Sequence, residues 1–144
     1  MTNNKKLFNQ ITIIGLGLIG SSLALSIRKS KISSRTVGYS RSPKTRNTSK
    51  RLKLVDKVSN KLEDSVRGSD LIIICTPLSS YANIIKKIIP HISKATIISD
   101  VGSAKEKTIN EIIPLLSNDD IFIPAHPIAG TEKSGPSAGF AELF

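Results

Sequence analysis

Short runs of apolar, β-branched residues alternate with amphipathic segments along the whole chain. Gln10-Ile11-Thr12-Ile13-Ile14 is strand-sized and stops at Gly15. Leu18–Lys29 follows as a helix, with Leu23 and Ile27 on one face and Arg28 and Lys29 in its last turn. Cations there complement the negative end of the helix dipole. Thr36-Val37-Gly38-Tyr39 predicts a second strand. Ser42-Pro43 then places a capping hydroxyl and an N1 proline at the start of a helix running to about Leu54. Val55–Ser59 reads as a short third strand, Leu62–Arg67 as a turn or two of helix, and Asp70–Cys75 as a strand that is apolar from Leu71 to Cys75. Tyr81–Ile89 is helical up to Pro90, Ala95–Ser99 a strand, Ala104–Ile113 a helix and Ile121–Ile123 a sixth strand. Continuous apolar strands suit a parallel sheet covered on both faces. Repeated strand–helix units predict an α/β fold, doubly wound around a mainly parallel sheet.

Composition adds limits. At 144 residues, with 39% hydrophobic and 22% charged positions, the chain reads as a single globular domain over 1–144. One cysteine excludes an intramolecular disulfide and a multi-cysteine metal site, and fits a reducing compartment. No metal is expected. Met1–Lys6 lacks the apolar run of a signal peptide, and no apolar stretch approaches the ~20 residues of a transmembrane helix. The expectation is a soluble cytoplasmic protein without a membrane partner. From Ala129 the chain turns Gly/Ser/Pro-rich and stops at the apolar Phe140–Phe144. That end reads as a cut inside a larger protein, and its exposed side chains predict association.

Charge changes the picture of partners. Residues 1–55 carry twelve Lys or Arg and no acid, whereas the remainder carries nine against eleven acids. A one-sided basic half points to an anionic partner, or is simply a solvated face. Aromatic residues make up only 4% of the chain, so base-stacking platforms are scarce. No nucleic-acid-binding signature appears, and no nucleic-acid partner is expected.

Gly15-Leu16-Gly17-Leu18-Ile19-Gly20 is a G-x-G-x-x-G between the first strand and the first helix, the context that makes it a dinucleotide fingerprint. Gly15 serves the tight turn, Gly17 lets a pyrophosphate approach the backbone, and Gly20 lets the helix pack close to the sheet. The helix N-terminus, with Leu18 and Ile19, offers unpaired N–H groups to the phosphates. An acid about 20 residues on would bind the ribose 2′-hydroxyl of NAD. Here stand Ser40, Arg41 and Ser42 instead, with Lys44 and Arg46 beyond. Hydroxyl donors and a guanidinium suit a 2′-phosphate, so NADP is the preferred cofactor and NAD a possible one.

Three further motifs end later strands, where open α/β sheets bind ligands. They are Cys75-Thr76-Pro77, Asp100-Val101-Gly102-Ser103-Ala104-Lys105, and His126-Pro127-Ile128-Ala129-Gly130-Thr131-Glu132. With the glycine loop, this set resembles the nucleotide-binding half of prephenate and arogenate dehydrogenases over essentially the whole chain. The resemblance implies a Rossmann-type domain, lacking here the helical second domain that in the family builds a homodimer and supplies cations for the substrate carboxylates. It implies NAD(P)-dependent oxidative decarboxylation of prephenate or arogenate, on the route to tyrosine. His126 matches the family's catalytic histidine and Ser103 a serine that orients the substrate hydroxyl and the cofactor. Thr131 and Glu132 fall in a loop that faces substrate, and Cys75, Thr76 and Pro77 border the nicotinamide.

Simpler readings stand beside these roles. His126 before a proline can be an ordinary loop residue. Ser103 with Glu106 three residues later makes a capping box. Asp100 and Lys105 are as readily structural as functional, Cys75 reads as a small buried residue and His91 as a surface one. Two competing functions remain: another Rossmann hydroxyacid or imino-acid reductase, and a non-enzymatic basic module that binds nucleotide or nucleic acid.

Overall fold

A computed structural model describes residues 5–144; residues 1–4, part of the stretch expected to carry no leader, lie outside it. Six strands form one sheet: β1 (Phe8–Ile14), β2 (Ser33–Tyr39), β3 (Lys57–Ser59), β4 (Leu71–Ile74), β5 (Ile97–Asp100) and β6 (Ile121–Ile123). Their spatial order is β3-β2-β1-β4-β5-β6, and every pairing is parallel. The order reverses between β1 and β4, which places the ligand crevice of a doubly wound sheet at the carboxyl ends of those strands.

Helices α1 (Leu18–Ser30), α2 (Pro43–Arg51), α3 (Leu62–Ser65), α4 (Tyr81–Ile88) and α5 (Lys105–Ile112) connect the strands. Consecutive residues of a strand face opposite sides, and β1 shows it. Ile11 and Ile13 pack with Ala24 and Ile27 of α1, whereas Ile14 joins Ile72, Ile74 and Ile98 under Ile84, Ile85 and Ile88 of α4 and Ile112 of α5. Thr12 is fully buried in this apolar strand. Its hydroxyl donates to the Ser65 carbonyl at 2.8 Å and meets Ser69 Oγ at 2.7 Å, so no polar atom is stranded.

Several boundaries differ from expectation. β2 begins three residues early, at Ser33, because Phe8 and Gln10 of β1 pair with Ser33 and Arg35. α2 stops at Arg51, not Leu54: Lys53 turns left-handed at φ 50°, and Leu54 and Val55 drop into the core, which shortens β3 to Lys57–Ser59. β6 is an edge strand with Ile121 and Ile123 exposed. The Phe140–Phe144 end is not simply free. Phe140 N–H donates to Ser22 Oγ at 3.1 Å, Leu143 is half-buried and Lys29 pairs with Glu142 at 2.9 Å, although Phe140 and Phe144 keep exposed rings. Among the described residues, no helix is long and apolar enough to cross a membrane.

Candidate functional site

The glycine loop joins β1 to α1 at the carboxyl edge of the sheet. Gly15 sits at φ +97°, and its N–H donates to the Tyr39 carbonyl at 2.8 Å, which ties the loop to the end of β2. The neighbouring backbone explains two of the three glycines. A Cβ on Gly15 would lie 2.7 Å from the Cys75 carbonyl oxygen, and one on Gly20 only 1.9 Å from that of Gly15. Gly17 is different: a Cβ there would meet nothing within 4 Å. The space over Gly17 is open, at the N-cap of a helix with no side-chain cap and no acid in its first turn. This is the shape and polarity a pyrophosphate requires. Leu18 and Ile19, half-buried, begin that helix.

Beyond β2, Ser40 is half-buried while Arg41 and Ser42 are exposed. Ser42 Oγ accepts from Thr45 N–H at 3.2 Å and caps α2, as the Ser-Pro pair implied. Its O–H proton remains to be donated. Arg46 reaches back to the carbonyls of Ser40 and Arg41, at 2.7 and 2.9 Å, and braces this loop. Arg41, Lys44 and Arg46 thus stand at the ligand edge, beside the glycine loop. Part of the remaining basic charge lies elsewhere. A cavity of about 490 Å³ at the far ends of α1 and α2 is lined by Arg28, Lys50, Lys53 and Asp56.

After β4, Cys75 is half-buried next to Gly15, Thr76 Oγ1 pairs with Ser80 Oγ at 2.7 Å, and Pro77 is exposed. Burial, and then the charge of Asp100, push the Cys75 thiol well above its ordinary range. A thiol held protonated in this way is a poor nucleophile.

β5 and β6 run side by side, with Ser99 opposite Ile123, and Ser99 Oγ donates to the Ile123 carbonyl at 2.7 Å. Their following loops carry Ser103 and His126, both exposed. The capping box expected of Ser103 and Glu106 does not form. α5 starts with Ala104 at its N-cap and no side-chain cap bond. The Asp100 carboxylate holds the turn through Gly102 N–H, at 2.9 Å, and it is the Ser103 carbonyl that accepts from Lys105 N–H, at 3.1 Å. The Ser103 hydroxyl is not used as a cap.

Sequence reasoning left Asp100 and Lys105 undecided; the structure puts them at the junction of both loops. Asp100 is 1% exposed, and Lys105 Nζ lies 2.6 Å from its Oδ1. The signal available beforehand was an acid ending an apolar strand, where burial demands a partner, with a lysine five residues on. Thr131 and Glu132 are exposed on the segment that runs from β6 to the Pro136–Ala138 turn beside α1 and α2. His91 is only partly at the surface: its Nδ1 lies 3.0 Å from Arg67 Nη2.

Comparison with known proteins decides the family. Residues 23–144 match the family described as prephenate dehydrogenase, nucleotide-binding domain. The chain belongs to this family. It is 42% identical over 138 residues to a cyclohexadienyl dehydrogenase from Zymomonas mobilis, covering 95% of this chain and 46% of that protein. The crystal structure of prephenate dehydrogenase from A. aeolicus, in complex with hydroxyphenyl propionate and NAD+, superposes with a TM-score of 0.85 at 29% identity. That match covers 94% of this chain and 47% of the other. Synechocystis arogenate dehydrogenase gives 0.78 at 32% identity, covering 94% and 46%. The chain thus spans about half the length of these relatives.

Proposed function

We propose that this chain is the nicotinamide-binding domain of a dehydrogenase that oxidises prephenate or arogenate with loss of CO2, in tyrosine biosynthesis. The full-length protein would be a homodimer whose second half completes the substrate pocket. The observation that carries the reading is the placement of the Asp-Val-Gly-Ser and His-Pro loops on adjacent strands, at the same sheet edge as the glycine loop. A structural relative holds NAD+ together with a hydroxyphenyl ligand.

When bound, the nicotinamide supplies the hydride acceptor. Gly17 and the first turn of α1 hold the pyrophosphate, and Cys75, Thr76 and Pro77 border the ring. His126 accepts a hydrogen bond from the hydroxyl on substrate C4 and takes its proton as the carbonyl forms. A neutral imidazole suits this role near pH 7. Ser103 orients the same hydroxyl, and Thr131 and Glu132 line the substrate side. The bond to the ring carboxylate then breaks, its electron pair enters the ring, and the proton returns to the phenolic oxygen. Ser40, Arg41 and Ser42 favour the 2′-phosphate of NADP.

The full-length protein is the sample for the test, with prephenate and arogenate as alternative substrates. His126→Asn should lose about 10²–10⁴-fold in kcat, the typical contribution of a general base, and keep cofactor affinity. Near-normal turnover would remove His126 from the mechanism. By calorimetry, NADP should bind at least tenfold tighter than NAD, about 1.4 kcal/mol, and Arg41→Ala should erase the difference. Equal affinities in the wild type would overturn the NADP preference.

A further inference from the structure

Asp100 and Lys105 belong to none of the cofactor or substrate contacts above, yet they form the most heavily bonded polar cluster at this edge. Asp100 Oδ1 accepts from Lys105 Nζ at 2.6 Å and from Ala125 N–H at 3.1 Å. Oδ2 accepts from Lys105 Nζ, from Gly102 N–H at 2.9 Å and from the Tyr81 hydroxyl at 3.3 Å. Lys105 Nζ also donates to the Ala125 carbonyl at 2.5 Å. The ion pair therefore takes both backbone polar groups of one residue: the carboxylate holds the N–H of Ala125 and the ammonium holds its C=O.

Ala125 immediately precedes His126. Pro124 and Pro127 flank the pair and have no N–H to donate. The segment leaves β6 without regular structure, so the grip on Ala125 anchors the backbone at the point where the imidazole projects. The same carboxylate fixes Gly102, next to Ser103. The buried Asp100 carboxylate and the half-buried Lys105 ammonium thereby tie the two functional loops to each other.

We propose that Asp100 and Lys105 are positioning residues that hold the His126 and Ser103 loops in register for catalysis, a role that rests on the function proposed above. An ion pair whose carboxylate is buried contributes little net stability against apolar replacement, and fixing a geometry is a better-attested use.

The test compares Lys105→Met, Lys105→Arg and Asp100→Asn with wild type in the full-length protein. Lys107→Met, on the exposed side of the same helix, is the control. Lys105→Met keeps the aliphatic stem and removes the ammonium. It should lower kcat by about tenfold to a hundredfold, the scale set by misplacing a reacting group by an ångström or less, with cofactor affinity unchanged. Amide exchange at Ala125 should quicken while exchange in the β1 and β4 core does not. Lys105→Arg should recover part of both losses. If Asp100→Asn fails to fold, Lys105→Met carries the result alone. Unchanged exchange at Ala125 overturns the proposal, and so does unchanged kcat in an active enzyme. A fall in kcat with unaltered exchange would mean that Lys105 acts on substrate directly, which also overturns it. If the wild type turns over neither substrate, the proposed function fails. Faster exchange at Ala125 in Lys105→Met would then still support the grip on the backbone.

Discussion

Gly17 and Gly20 share a motif but do different physical jobs. Gly20 is excluded from carrying a side chain by the Gly15 carbonyl, so Gly20→Ala must push α1 away from the sheet. A Cβ on Gly17 would touch nothing of the protein. Gly17→Ala should cost about 1 kcal/mol or less of stability, the penalty of alanine at an N-cap. It should nevertheless abolish nucleotide binding, because the methyl occupies the approach of the pyrophosphate. Thermal unfolding of Gly17→Ala with and without nucleotide checks this. Retained stabilisation by nucleotide would move the binding site off this loop. The motif was legible in the sequence; the division of labour within it was not, since it depends on which neighbour stands over each Cα. Arg41 and Arg46 differ in the same way. Both read as positive charge, but only Arg46 is committed to backbone carbonyls, which leaves Arg41 free to meet a ligand.

Among the elements, α2 is the one most dependent on its ends. Its sequence, Pro43-Lys44-Thr45-Arg46-Asn47-Thr48-Ser49-Lys50-Arg51, has no aliphatic side chain to bury, and only Ser49 is inaccessible. Such a helix gains little from packing. The Ser42 cap and the two cations in its last turn must supply much of its support. Ser42→Ala should therefore destabilise the protein by ~1 kcal/mol, read as a lowered midpoint in urea, and loosen the loop that carries Arg41. An unchanged midpoint would show that the cap is dispensable. Ser-Pro announced the start of α2 correctly. Its end was misplaced, because Leu54 and Val55 continue the apolar pattern but serve the core of the sheet. The first half of β2 was missed for the converse reason. Ser33, Ser34 and Arg35 have no strand character of their own, and their extended form comes from pairing with β1.

At the scale of the whole molecule, burial of Cys75 and Tyr81 couples the interior to pH. Burial, then the nearby Asp100 charge, disfavour ionisation of both the Cys75 thiol and the Tyr81 phenol and push their pKa values up. Hydrogen bonding to Asp100 adds to the effect on Tyr81. In the unfolded chain these groups return to ordinary values, 9.0 and 10.0. A pKa raised by folding gives stability that is complete below the unfolded value and is lost as pH rises past it. The melting temperature should hold up to about pH 9 and decline beyond it, and Cys75→Ser should make the decline shallower. A flat alkaline limb in the wild type would show that neither group is held neutral by the fold. At neutral pH the same shift predicts slow alkylation of Cys75 in the folded protein.

The sequence alone determined the alternation of strands and helices, the parallel sheet, the dinucleotide loop and the family. Each of these is written locally, in apolar runs, in capping residues and in short motifs whose spacing is set by a single turn of chain. Tertiary structure decided what depends on contacts between distant segments. It extended β2 along β1, ended α2 at Arg51, packed the Phe140 end against α1 and denied Ser103 its cap. It also joined Asp100, Lys105 and Ala125, whose common geometry exists only once β5 and β6 lie side by side. A buried carboxylate must find its donors wherever the fold supplies them, and those donors stand up to 25 residues from Asp100 along the chain.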